Sequence, residues 1–365
     1  MKTILSVASA RPNFVKLAAV HHALMQEPGS FRHIIVHTGQ HYDPLLSDVF
    51  FEQLDIPQPD ANLGIHGGTR VEVINATAAA ITPVLRTSKP DIVLVYGDVN
   101  GAVGAARAAS ILGFPVGHVE AGLRSGDLDM PEEHNRIEID GLADLLFCSE
   151  QSGMDHLEQE RNKGKKYLVG NTMIDTLVRQ QPLLIRYGAT VHKRMKTFPG
   201  HKIAIATLHR PSNVDDPVVL QNIMKFMENV SQLCPIMLAA HPRLQKALEG
   251  IKLDGANEVP LLIVPSMSYF EFLSWMQHVA FILTDSGGIQ EEAAFLGKRC
   301  FTLRRNTERP STIESGSNVL TNPDSEVDRQ MVLDFAKHPL DPKVTVPALW
   351  DGRAAERISG ILSTL

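Results

Sequence analysis

Leu283–Lys298 reads LTDSGGIQEEAAFLGK. A short apolar run ends in Asp285, Ser286 and the pair Gly287–Gly288. A helix-like segment follows, with Glu291 and Glu292 expected in its first turn. Strand, glycine turn and helix in that order form the repeating unit of an α/β fold. The glycines let the backbone come close to a ligand, and a helix start offers free N–H groups to an anion. Two carboxylates beside such a phosphate cradle call for a reason.

Apolar runs of the same kind recur along the chain. They are TILSVAS (3–9), HIIVHT (33–38), DIVLVYG (91–97), PVGHVE (115–120), DLLFCS (144–149) and KYLVG (166–170), with helical segments between. A second series follows: KIAIATL (202–208), PIMLAA (235–240), PLLIVP (260–265), AFILTD (280–285) and RCFTLR (299–304). Continuous rather than alternating apolar runs mark strands covered on both faces, as in a parallel sheet. Between the two series lie one helix-like piece, TMIDTLVRQQPLLIRYG, and a basic stretch ending KTFPGHK. The expected fold is α/β, two Rossmann-like doubly wound domains facing a cleft. We expect them at residues 1–180 and 181–345, with an amphipathic C-terminal helix in 346–365 packing back on the first.

A chain of 365 residues exceeds the usual single-core limit, which also points to two domains. The net charge of −6 gives no general reason to expect a nucleic acid or an anionic membrane as partner. Cys148, Cys234 and Cys300 are far apart in apolar runs, with neither a disulfide framework nor metal-ligand spacing. No apolar stretch reaches membrane-spanning length, and the opening MKTILSVASARP reads as a buried first strand. The expected compartment is the cytoplasm.

Ligands in doubly wound sheets bind beyond the carboxyl ends of the strands. Those ends are rich in charge here. The first half supplies Arg11 and Lys16 (ARPNFVK), Gln40 and His41 (GQHYD), Asp98 (YGDVN), then His118, Glu120 and Arg124 (HVEAGLRS). Glu132, Glu133 and Arg136 follow in MPEEHNR. The second half supplies His209 and Arg210 (TLHRPSN), His241 and Arg243 (AAHPR), and Arg304, Arg305 and Arg309 (LRRNTERP). Any one Asp or His of this kind is usually an N-cap or a turn former. So many at the same sheet edge point to a site. Arg11, Lys16, Arg210 and Arg309, with the backbone of Ser286, Gly287 and Gly288, suit a diphosphate. Asp98, Glu120 and Glu132 would be repelled by it and suit proton transfer at a neutral part of the ligand.

Together ARPNFVK, GQH, YGD, HVEAGLRS, MPEEHNR, LVGNTMID, TLHRPSNVD, DSGGIQEEA and TERP resemble the non-hydrolysing UDP-N-acetylglucosamine 2-epimerase family over nearly the whole chain. ARPNF and TGQHYD are most similar to the branch acting on UDP-2,3-diacetamido-glucuronate. The resemblance implies a glycosyltransferase-B-like fold with a UDP-binding second domain. The implied reaction inverts C2 through loss of UDP to a 2-acetamidoglucal and its re-addition. It implies Asp98, Glu120, Glu132 and His209 as the acid–base set, with the base and the acid left unassigned. Arg11, Lys16, Arg309 and the Ser286–Gly287 backbone would hold the diphosphate. Phe272 would stack the uracil and Glu292 would meet the ribose hydroxyls. Glu291 is expected to be a solvated helix charge. No cofactor and no metal are expected, and a homodimer is implied by the family alone.

Three positions depart from the family pattern. Ser9–Ala10 stands where a glycine is usual, Val99 replaces a threonine, and Gln40–His41 lack the polar residues that accompany allosteric activation. The favoured substrate is UDP-GlcNAc, epimerised to UDP-ManNAc. The alternatives are the diacetamido-uronate, a hydrolysing epimerase, a retaining UDP-sugar glycosyltransferase, and a binding protein that has lost catalysis.

Overall fold

The apolar runs become strands because both their faces are covered, and among the described residues every strand pairing is parallel. The computed structural model describes residues 1–39, 50–198, 202–251 and 261–365. Gln40 and His41 lie outside them. The chain divides into two compact units, unit 1 (Met1–Arg179 with Ala348–Leu365) and unit 2 (Gln180–Pro347).

Unit 1 holds β1 (Lys2–Ala8), β2 (Phe31–His37), β3 (Ala61–Asn62), β4 (Ile92–Tyr96), β5 (Val116–Val119), β6 (Leu145–Cys148) and β7 (Lys165–Leu168). Their order across the sheet is β3-β2-β1-β4-β5-β6-β7. Its helices are α1 (Arg11–Met25), α2 (Arg70–Ser88), α3 (Asn100–Ile111), α4 (Pro131–Leu142), α5 (Gln151–Gln159) and α6 (Thr172–Arg179). Strand order reverses between β1 and β4, so the loops after these two strands open the crevice where doubly wound sheets bind ligands. Leu5, Val7, Val93, Val95 and Leu146 are fully buried in its core with Ala102 and Ala106 of α3. Small residues on α3 let it lie close to its neighbours. A Cβ on Gly104 would stand 2.7 Å from Thr77 Cβ of α2.

Unit 2 repeats the plan with helices α7 (Gln181–Met195), α8 (Pro211–Val214), α9 (Pro217–Ser231), α10 (Pro242–Leu248), α11 (Tyr269–His278), α12 (Gly287–Phe295), α13 (Pro310–Glu314) and α14 (Glu326–Lys337). Its strands are β8 (Ala204–Thr207), β9 (Ile236–Ala240), β10 (Leu261–Pro265), β11 (Ile282–Thr284), β12 (Cys300–Thr302) and β13 (Asn318–Leu320), ordered β10-β9-β8-β11-β12-β13. The order reverses between β8 and β11. Thr284 therefore ends a central strand, and Asp285 to Gly288 sit at the switch point.

One expectation changes. The piece read as one helix across 172–188 is two, α6 and α7. Pro182 lies at the first turn of α7 and has no N–H to continue the ladder from α6. Ala348–Leu365 belongs to unit 1 and carries a last helix, α15 (Ala354–Ser363), which packs on α1 and α6. Asp175 of α6 accepts the backbone N–H groups of Ala354 (3.1 Å) and Ala355 (2.6 Å) at its start. Trp350 donates its indole N–H to Ser149 O at 3.0 Å.

Candidate active site

In unit 1 the turn after β1 is tied to the end of β4. Asn13 accepts the N–H groups of Ser9 (3.3 Å) and Ala10 (3.0 Å) and donates to Tyr96 O at 2.9 Å. Ser9 and Ala10 are thus held without a glycine. Arg11 opens α1 on the exposed side, while Lys16, further along α1, is buried and paired with the Glu120 carboxylate. Gly97 has φ +62°, and a Cβ there would lie 3.2 Å from both Glu120 Oε2 and Lys16 Nζ. Glu120 is itself left-handed at φ +74°, a conformation that costs a side-chain-bearing residue roughly 1–2 kcal/mol. Its amide donates to Phe147 O at 3.0 Å. The loops after β1, β4 and β5 converge on the Lys16–Glu120 pair.

Asp98 follows Gly97 and is partly exposed. Arg136 of α4 reaches it, Nη2 to Oδ2 at 2.5 Å, and holds Glu133 with Nη1 at 2.6 Å. Burial pushes the Glu133 carboxyl up, but the N–H groups of Ser125 and Gly126, the Arg136 charge and the Ser125 hydroxyl outweigh it and keep it below the ordinary range. Asn135 donates to Asp98 O (2.7 Å) and to Asn100 Oδ1 (2.9 Å), fixing the β4–α3 turn. Glu132, one residue from Glu133, is exposed at the start of α4. His118 does not face this site. Its ring lies between Asp140 Oδ1 (2.6 Å) and Gly97 O (2.9 Å), fully buried. Arg124 is taken up by Asp140 and Glu160.

Unit 2 builds its switch point around Asp285. This carboxylate has no exposed surface and accepts the amides of His209 (3.1 Å) and Arg210 (2.9 Å) and Asn213 Nδ2 (3.0 Å). His209 Nδ1 lies 2.6 Å from Asp285 Oδ1, and the His209 side chain is 52% exposed. Ser286 leads into α12 without capping it by its side chain, which leaves first-turn N–H groups available. Across that helix start lies Arg309. A Cβ on Gly287 would contact Arg309 Nη1 and sit 2.7 Å from Glu308 Oε1, so a side chain there would push both groups aside. Gly288 follows in the same turn. Glu308 gathers three guanidinium groups, those of Arg309, Arg304 (2.7 Å) and Arg210 (3.8 Å).

The two glutamates differ from the reading of the sequence. α12 begins at Gly287, so Glu291 and Glu292 lie beyond its first turn. Glu291 is fully buried, with Oε1 2.9 Å from Arg309 Nε, and is not a solvated charge. Glu292 is buried too and accepts from Tyr269 Oη at 2.7 Å. Burial raises its pKa to about 8, with the neighbouring Glu291 charge adding and the Tyr269 hydrogen bond opposing. Phe272 sits half-buried on α11.

A family model described as UDP-N-acetylglucosamine 2-epimerase matches residues 22–363. The chain belongs to the UDP-N-acetylglucosamine 2-epimerase family. It is 37% identical over 99% of its length, and 99% of the relative's, to a UDP-2,3-diacetamido-2,3-dideoxy-D-glucuronate 2-epimerase of Pseudomonas aeruginosa. It is 35% identical to a UDP-N-acetylglucosamine 2-epimerase of Methanococcus maripaludis over 88% of each chain. The crystal structure of the Methanocaldococcus jannaschii UDP-GlcNAc 2-epimerase in complex with UDP-GlcNAc and UDP superposes with a TM-score of 0.89. That match covers 100% of both chains at 34% identity.

Within this epimerase, several residues that shape the site carry no signal of their own in the sequence. Asn13 ties down the turn after β1, Asn213 bonds Asp285, and Glu308 holds Arg309, yet each reads locally as an ordinary loop or helix-start polar group. Glu133 and Arg136 read as charges but not as the brace of Asp98. Asp285 could have been found, since it directly follows an apolar strand and precedes two glycines. Among the described residues no helix is long and apolar enough to cross a membrane, and all three cysteines are free and buried.

Proposed function

We propose that this epimerase inverts C2 of a UDP-2-acetamido sugar, interconverting UDP-GlcNAc and UDP-ManNAc. The observation that carries the proposal is the convergence at the carboxyl edge of the first sheet. There Asp98 and Glu120 end adjoining strands, each held by a buried cation, Arg136 and Lys16. The C2 hydrogen of the sugar has no carbonyl beside it, so simple removal and return is ruled out by acidity. Its loss to a carboxylate is instead coupled to cleavage of the C1–O bond. UDP leaves as the anion, and a 2-acetamidoglucal remains. Protonation of C2 on the opposite face and re-addition of UDP complete the inversion.

Asp98, Glu120 and Glu132 form the acid–base set, and His209 supports departure of UDP. Arg11, Lys16, Arg210, Arg309 and the backbone of Ser286, Gly287 and Gly288 hold the diphosphate. Phe272 stacks the uracil, and Glu292 meets the ribose. The basic groups suffice for the diphosphate without a metal. The enzyme acts in the cytoplasm, in keeping with its three free buried cysteines, and as a homodimer, as the family resemblance implies.

The likeness to the Pseudomonas enzyme over 99% of the chain supports a second reading, with UDP-2,3-diacetamido-2,3-dideoxy-D-glucuronate as substrate. Against it, a uronate needs a cation at C6, and Arg124 and Arg136 are already engaged by carboxylates. Incubation with each UDP-sugar in heavy water, followed by proton NMR, separates the readings. Deuterium at C2 with UDP-ManNAc appearing supports the first. Reaction of the uronate alone selects the second, free ManNAc indicates hydrolysis, and a C2 that stays protonated while sugar is transferred indicates a glycosyltransferase.

A further inference from the structure

We propose that Asp285 is the positioning residue of His209, holding the imidazole with Nδ1–H turned inward so that Nε2 faces the departing UDP. This rests on the reading that His209 assists loss of UDP. Asp285 has no exposed surface, whereas the His209 side chain is 52% exposed, so the dyad has one dry end and one wet end. The carboxylate touches the ring at Nδ1, 2.6 Å from Oδ1, which leaves Nε2 on the far side.

Asp285 stays ionised. Burial pushes its carboxyl up, but the His209 ring and the amides of Arg210 and His209 outweigh burial and hold it below the usual carboxylate range. An ionised carboxylate only accepts, so the ring nitrogen against it carries a proton. The neutral ring is then the Nδ1–H tautomer with a free Nε2 lone pair. When protonated, it presents Nε2–H to a phosphate oxygen. In the elimination, the C1–O electron pair leaves with UDP while Nε2–H donates to the developing oxyanion. In the re-addition, the oxygen's electron pair re-forms the C1–O bond and the hydrogen bond from Nε2–H weakens.

The carboxylate has a second, structural task, because its oxygens also accept the amides of His209 and Arg210 and the Asn213 amide. Arg210 N and Asn213 Nδ2 both bond to Oδ2, and His209 N reaches both oxygens. Asp285→Asn with its oxygen at the Oδ2 position therefore keeps the contacts of Arg210 N and Asn213 Nδ2 and one of the two from His209 N. Its NH₂ takes the Oδ1 position and faces His209 Nδ1. The substitution changes the acceptor at the ring into a donor, with loss of the carboxylate charge and of the His209 amide contact at Oδ1.

Three measurements test the assignment. In ¹⁵N-histidine-labelled wild-type enzyme with the ring neutral, His209 is expected as the Nδ1–H tautomer; the Nε2–H tautomer would overturn the proposal without reference to any substrate. In turnover of the UDP-sugar, Asp285→Asn is expected to lower kcat by about 100-fold with KM little changed and the acid limb of the pH profile displaced. In a His209→Asn background it should cost nothing further. An equal loss in both backgrounds means that Asp285 only braces the turn, and the proposal fails while the role of His209 stands. Full activity of His209→Asn removes the role of His209 itself, and the dyad with it.

Discussion

Asp98 belongs to the proposed acid–base set, and its substitution is structurally mild. In Asp98→Asn the Arg136 guanidinium keeps Glu133, so unit 1 should stay folded. kcat should fall about 10²- to 10⁴-fold, the usual contribution of one acid–base group. Retained deuterium uptake at C2 at the wild-type rate would remove Asp98 from the acid–base set. Glu292 makes a different prediction. Its folded pKa of about 8 lies above the ordinary 4.5, so the folded state holds a proton that the unfolded chain releases between these values. Stability from this group is complete below pH 4.5 and is lost as pH rises through 8. Glu292→Gln should flatten that fall, read from urea midpoints of wild type and variant between pH 5 and 8.5. It follows that Glu292 is largely protonated at neutral pH, so in the proposed contact with a ribose hydroxyl it can donate as well as accept.

The start of α12 sets two demands against each other. Alanine is a better helix former than glycine by about 1 kcal/mol, so Gly287→Ala should favour the helix by itself. Its methyl would displace Arg309 and Glu308, however, and with them the proposed diphosphate grip. The expected outcome is weakened UDP binding by calorimetry with little change in melting temperature, and unaltered affinity would release Arg309 from that role. Long strands were legible from the sequence because burial on both faces writes a continuous apolar run. β3 and β13 were not, because each is short and carries an asparagine in place of a continuous apolar run. Helix α4 was legible as a helix but not in its orientation. It buries Glu133, Arg136 and Asp140, which hydropathy would place in solvent. Exposed Glu132 and buried Glu133 are neighbours of one type, and only tertiary contacts distinguish them. Glu291 was misread for the same reason, since its partner Arg309 is remote in sequence.

Each unit contains one tryptophan, Trp350 in unit 1 and Trp275 in unit 2, so their unfolding can be followed separately. Unit 1 carries histidines held neutral. His21 Nδ1 and His33 Nδ1 are 2.9 Å apart, and His37 Nδ1 accepts the Gly39 amide at 2.7 Å. Burial, with neighbouring histidines, lowers His21 to about 4, His33 to about 3 and His37 to about 4, from 6.5. A depressed folded pKa means that the unfolded chain binds the protons first. Stability is therefore whole above pH 6.5 and lost as pH falls toward 4. Buried Asp175, raised to about 6 mainly by desolvation, acts in the opposite sense over part of that window. In a Trp275→Phe variant the Trp350 signal should report a falling urea midpoint from pH 7 to 4.5, and a flat midpoint would count against the histidines as its source. The bonds from Asp175 to α15 carry one more implication. A chain leaving the ribosome can complete unit 2 on its own, but unit 1 has to wait, its α1 and α6 faces uncovered, until Ala348–Leu365 has been made. The half that begins first closes last, and until then a chaperone has an apolar surface to hold.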